Sequence, residues 1–74
     1  MNAVPIEDIL NAIDRNLSRW INPICLYSDD EMIGRIRSLA QLLVGRREDM
    51  TDCQEERYEM LGHQFHDLRE EANR

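Results

Sequence analysis

The 74-residue chain contains no lysine, so all nine of its basic residues are arginine. This absence excludes Schiff-base catalysis and a P-loop phosphate site, because both depend on a lysine amine. Two cysteines are too few for the disulfide framework of a small secreted domain, and no apolar run approaches the roughly 20 residues of a membrane-spanning helix. With only three glycines and two prolines, the composition predicts one small domain over residues 1–74.

Apolar residues recur at steps of three and four in three segments, which predicts an all-α fold with amphipathic helices over residues 5–21, 29–45 and 52–72. Asn22-Pro23 ends the first helix. Ser28 with Glu31, and Thr51 with Gln54, fit the capping box that opens a helix. One long bent helix over 29–72 is the alternative, which Gly45 disfavours because an interior glycine costs about 1 kcal/mol.

The second predicted helix has the broadest apolar surface, spread over an arc of roughly 200° at about 100° per residue. One neighbouring helix would not cover this arc, so we expect the second helix to lie between the other two, in a helical hairpin or three-helix bundle completed by homodimerisation. We expect the connector 22–27, which is rich in apolar residues, to pack inward. The predicted residues of the core and of the self-association surface are Ile33, Ile36, Leu39, Leu42, Leu43 and Val44.

The third predicted helix differs, because its apolar residues form a narrow seam of roughly 80°. The seam consists of Tyr58, Leu61, Phe65, Leu68 and Ala72. Residues 48–74 hold nine acids against three arginines and therefore carry −6, the value of the whole chain. We expect a solvated face partly paired by Arg57 and Arg69, or a surface that docks a basic partner. The predicted partner-binding residues are Glu55, Glu56, Glu59 and Met60.

No pattern of catalytic, cofactor-binding or metal-ligating residues stands out, so we expect neither an enzyme nor a cofactor. His63 and His66 lie three residues apart and would need a third ligand, such as Glu59 or Cys53, to hold a metal. Cys53 lies in the first turn of a predicted helix, but neighbouring acids oppose a thiolate there. We expect both cysteines to be reduced.

By elimination, the sequence predicts a binding protein: a cytoplasmic regulator, inhibitor or adaptor that docks on another protein, without membrane contact. The absence of lysine favours a bacterial or phage origin. One alternative is an acidic mimic that blocks a nucleic-acid-binding protein. The other is a small helical DNA-binding regulator, which the net charge disfavours because Arg35, Arg37, Arg46 and Arg47 form no coherent basic stripe.

Overall fold

The computed structural model describes residues 4–74, which form three α-helices and a 3₁₀ turn and contain no β-strand. Helix α1 spans Ile6–Ile21, α2 spans Asp29–Val44 and α3 spans Asp52–Ala72, with the turn at Arg47–Asp49 between α2 and α3. The prediction of an all-helical chain is confirmed for this range, and the helix bounds lie within one residue of those expected. Residues 1–3 of the predicted domain lie outside the described range.

Both helix starts that the sequence marked are capped, but to different degrees. At α3 the box is complete: the Gln54 amide donates to Thr51 Oγ1 at 3.2 Å, and the Thr51 amide donates to Gln54 Oε1 at 3.0 Å. At α2 the Glu31 amide donates to Ser28 Oγ at 3.2 Å, and the cap consists of this one bond. The predicted Ser28 capping box is therefore incomplete, because the Glu31 carboxylate does not accept a hydrogen bond from the Ser28 amide.

The alternative of one helix over 29–72 is wrong. Helix α2 ends at Val44, and Gly45 has φ −82°, which lies outside the left-handed region and requires no glycine. After the 3₁₀ turn, Met50 has extended backbone with ψ 139° and a buried side chain. Helix α2 therefore ends before the turn, and the separate helix α3 begins after the Thr51 cap.

The central helix is α1, so the prediction that the second helix lies between the other two is wrong. Helix α1 packs against both α2 and α3, whereas α2 and α3 touch each other at few positions. Five residues of α1 are buried, against three of α2 and one of α3. The fully buried side chains of the described range are Leu10, Leu17, Met32 and Leu43. The apolar arc of α2 is broad, but its two edges remain in solvent.

Helices α1 and α3 run in the same direction, and polar contacts join them to each other and to α2. Near their N-termini, Arg57 of α3 contacts Glu7 of α1. Near their C-termini, the Trp20 ring lies 6.0 Å from the Phe65 ring, while Trp20 Nε1 donates to Asp29 Oδ1 at the start of α2 at 2.8 Å. The antiparallel α2 fills the second side of α1, which gives an up-down-up arrangement.

The connector 22–27 packs inward only in part. Cys25 and Tyr27 are half-buried, whereas Ile24 is 79% and Leu26 is 93% exposed. The Asn22 side chain accepts from the Ile24 amide at 2.9 Å, and the Cys25 amide donates to the Asn22 carbonyl at 3.0 Å. The chain therefore turns tightly at the end of α1 through an Asx-type turn.

Candidate functional site

The outer surface of α3 is strongly acidic. On a helical wheel at about 100° per residue, six of its seven acids cluster opposite Leu61, over an arc of roughly 120°, and Glu71 lies outside this arc. We refer to this surface as the acidic face, and it consists of Asp52, Glu55, Glu56, Glu59, Asp67 and Glu70. Within residues 4–74 only one of these acids has a salt-bridge partner, Glu70, whose Oε1 lies 3.2 Å from His66 Nε2.

The predicted pairing of these acids with nearby arginines does not form. Arg57 lies at the edge of the seam and turns toward α1, where its guanidinium contacts Glu7 Oε1 at 3.0 Å and Asp14 Oδ2 at 3.5 Å. Arg69 takes part in no salt bridge among the described residues. Neither arginine of α3 pairs with the acidic face, because Arg57 contacts acids of α1 and Arg69 forms no salt bridge among the described residues.

The four predicted partner-binding residues do not form one compact patch. Glu55 is half-buried, whereas Glu56, Glu59 and Met60 are exposed, Met60 at 65%. Glu55 and Met60 lie about 140° apart around the helix at 100° per residue. Glu55 and Glu59 border the side of α3 that faces α2, and Glu56 with Met60 lies on the far side. A single partner element would contact one pair or the other.

An apolar groove lies between α2 and α3, because these helices splay apart above α1. It encloses about 160 Å³, with Ile13 of α1 among its lining residues. We refer to it as the α2–α3 groove, and its other lining residues are Ile36, Arg37, Ala40, Tyr58, Leu61, Gly62 and Phe65. Arg37 is the charged residue among them. No sequence pattern indicates this groove directly, because it depends on how α2 and α3 pack on α1.

The predicted self-association residues divide into three groups. Ile36 and Leu43 are buried in the core of the chain, and Ile33 and Leu39 are half-buried. Leu42 and Val44 are 54% and 64% exposed, but they lie about 160° apart around α2 at 100° per residue. Leu42 therefore belongs to the flank formed with α1, and Val44 to the flank on the α3 side.

A second apolar surface lies on the connector, where Ile24 and Leu26 border a depression of about 290 Å³. Beside it, the Arg35 guanidinium lies over the Tyr27 ring, 4.2 Å from the centroid. Cation–π contact of this kind fixes the Tyr27 ring at the start of α2. The apolar composition of 22–27 is visible in the sequence, but the exposure of Ile24 and Leu26 is not.

The histidines and cysteines considered for metal binding or thiolate chemistry do not form a site in the described part of the chain. Among residues 4–74, no three His, Cys, Asp or Glu side chains are arranged to hold a metal ion. His63 and His66 are exposed on α3. Cys53 is exposed, Cys25 is half-buried, and both are free thiols. No helix in the same range has the length and low charge needed to cross a bilayer.

No protein-family model, no curated protein and no solved structure matches this chain. The features of this chain that point to a function are the acidic face, the α2–α3 groove and the exposed apolar residues.

Proposed function

We propose that this protein is a small cytoplasmic interaction module that acts as a regulator, inhibitor or adaptor by docking on a partner protein with a basic surface. The observation that carries the proposal is the acidic face of α3, five of whose six acids have no salt-bridge partner within residues 4–74.

Electrostatics explains what such a face would do for binding. Complementary charge attracts a partner over a distance of about one Debye length, near 8 Å at physiological salt, and raises the association rate. It contributes less to the final affinity, because exposed ion pairs stabilise by only about 0.2–1 kcal/mol each. Affinity requires apolar contact, which the α2–α3 groove beside the acidic face offers.

The test begins with affinity purification of the partner from the native host and measurement of its association rate. Replacing Glu55, Glu56 and Glu59 by Lys changes the net charge from −6 to 0, since each replacement adds +2. We expect slower association and a weaker dependence on salt.

The matched control replaces three acids outside α3 by Lys: Asp30, Glu31 and Glu48, which are exposed and carry no salt bridge among the described residues. This variant also has a net charge of 0, and its association rate should fall less than that of the variant with Lys at 55, 56 and 59. Equal losses in both variants would show that only the net charge matters, and unchanged rates would remove the proposed role of the acidic face.

A second candidate function is an acidic mimic that occupies the nucleic-acid site of its partner. The observation in its favour is the repetition of free carboxylates along α3, where Glu55 and Glu59 are separated by a rise of about 6 Å. A mimic must compete with the oligonucleotide that its partner binds. Simultaneous binding of this protein and the oligonucleotide would exclude the mimic and leave the docking module.

We also propose that two copies pair through the flank of α1 and α2 that lies away from the acidic face. A shallow apolar surface there is lined by Ala12, Asn16, Arg35, Ser38, Leu39 and Leu42. Pairing through this flank keeps the two acidic faces apart, which a dimer of two chains at −6 requires. Sedimentation equilibrium should show a dimer for the parent chain and a monomer for Leu42→Glu. The control Val44→Glu, on the opposite flank of α2, should leave the dimer intact. A parent chain that is monomeric at all concentrations would refute the pairing.

A further inference from the structure

We propose that the α2–α3 groove binds one amphipathic helix of the partner, with the apolar stripe of that helix in the groove and basic residues along the α3 side. This inference rests on the proposed docking function and deepens it, because it names the contact surface and the chemistry of the occupant. Three features of the groove point to such an occupant: its dimensions, a glycine in its wall and the charges beside it.

The groove has the length of a short helical segment. Its α3 wall extends from Tyr58 to Phe65, seven residues or about 10 Å at 1.5 Å per residue. This length matches about two turns of a bound helix, enough for apolar side chains at positions i, i+4 and i+7. Ala40, Tyr58 and Phe65, which are half-buried, offer them apolar surface, and the buried Ile13, Ile36 and Leu61 lie beneath.

Gly62 lies in the α3 wall, and the packing of this chain gives no reason for a glycine there. A Cβ at this position would meet nothing within 4 Å, and an interior helical glycine costs about 1 kcal/mol relative to alanine. Ala40 is the small residue on the opposite wall. Small side chains on both walls permit the backbone of an inserted helix to approach closely.

The rims of the groove carry opposite charge. At 100° per residue, Glu55 and Glu59 follow Gly62 around α3 on the side next to the groove, and no salt bridge engages them within residues 4–74. Arg37 lines the α2 wall. A helix with arginine or lysine along one flank would pair with the α3 rim, and Arg37 would accept an acid or a helix C-terminus on the other flank.

A second copy of this chain fits the groove less well than a basic helix. The apolar stripes of α1 and α3 are packed within the chain, and the exposed Leu42 and Val44 of α2 lie on opposite flanks. A second copy also carries −6, which would bring acids toward the acidic rim. The partner of this groove is therefore a helix of a different protein.

The experiment measures binding of two labelled 16-residue peptides to the full chain by fluorescence anisotropy. Both peptides carry the same leucine stripe at i, i+4, i+7 and i+11, and one has arginine flanks whereas the other has glutamate flanks. We expect the arginine peptide to bind at least about tenfold more tightly, and to lose affinity with salt. Equal affinity of the two peptides, or no binding of either, would overturn the proposal.

The decisive variant is Gly62→Leu, which fills the groove, and its matched control is Gly34→Leu. Gly34 is also an interior helical glycine with open space around it, but it lies on the exposed outer side of α2. Both variants should be at least as thermally stable as the parent, because leucine favours a helix. Gly62→Leu should weaken binding of the arginine peptide by about tenfold or more. Gly34→Leu should change the affinity for this peptide by less than twofold.

Two further outcomes would overturn the groove proposal, and they separate it from the proposed function. If Gly62→Leu converts a dimer into a monomer in sedimentation, the occupant is a second copy. If Gly62→Leu still binds the partner captured from the host while the variant with Lys at 55, 56 and 59 does not, the docking function stands and the groove is not its contact surface. A captured partner that binds neither variant, and in which an arginine-rich helix is protected from proteolysis by the parent chain, would support both the docking function and the groove as its contact surface.

Discussion

Helices α1 and α3 differ in how much of their surface they bury, and the shorter helix buries more. Helix α1 has sixteen residues, of which five are buried; α3 has twenty-one, of which one is buried. The core depends on α1, which packs against both other helices. The longer α3 contributes a narrow seam and leaves most of its circumference in water, where the acidic face lies.

This contrast places stability and binding on different helices. A residue of α1 is constrained by neighbours on two sides, so a change there disturbs the whole fold. A residue on the outer side of α3, such as Glu56, Glu59 or Met60, is exposed to solvent and is free to be selected for a partner. Helix α3 therefore depends more on its ends and on single side-chain contacts than α1 does.

Deleting buried volume from α1 should give the largest loss of stability. Leu10 is 0% exposed, and Leu10→Ala is expected to cost about 2–5 kcal/mol, which is comparable with the roughly 3–5 kcal/mol that a core of this size supplies. Thermal denaturation followed by circular dichroism should show a largely unfolded variant.

Two matched variants of α3 sharpen this prediction. Leu61→Ala removes the one buried side chain of α3, which is 6% exposed, and the chain should stay folded with a lowered Tm. Met60→Ala, at an exposed neighbouring position, should change the free energy of unfolding by no more than about 0.5 kcal/mol. If Leu61→Ala and Leu10→Ala were equally damaging, α1 would not be the centre of the core.

The caps give an intermediate effect. Thr51→Ala removes the reciprocal box of α3 and should cost about 1–2 kcal/mol, whereas Ser28→Ala removes the single bond at α2 and should cost about 0.5–1 kcal/mol. Hydrogen exchange should show faster exchange confined to the first turn of α3 in Thr51→Ala. A larger loss in Ser28→Ala would contradict the view that α3 depends more on its ends.

The sequence predicted what local chemistry decides. Helix boundaries follow from Asn22-Pro23 and the Thr51 box, because a cap or a turn involves residues three or four apart. The seam of α3 was also predictable, since the spacing of Tyr58, Leu61 and Phe65 fixes one face. Leu61 is buried and the other seam residues are half-buried, as an amphipathic helix on a small core requires.

The sequence did not predict which helix is central, because an apolar arc shows how much surface a helix could bury and not how much its neighbours cover. The arc of α2 is broader than the surface that α1 offers, so Leu42 and Val44 remain exposed at its two edges. The α2–α3 groove was invisible for the same reason. Its shape depends on α2 and α3 packing on α1 without closing on each other.

The smallest expected effect concerns Arg57, the one side chain of α3 that forms salt bridges to α1. Its side chain is 33% exposed, so Arg57→Gln should cost less than about 1 kcal/mol, and the loss should shrink at high salt. In a chain that already carries Glu7→Gln and Asp14→Asn, Arg57→Gln should have almost no further effect, because its partners are gone. Since Arg57 faces α1 and not the acidic face, the association rate with the partner should stay within twofold of the parent. A salt-independent loss of stability would instead assign Arg57 a packing role through its aliphatic stem.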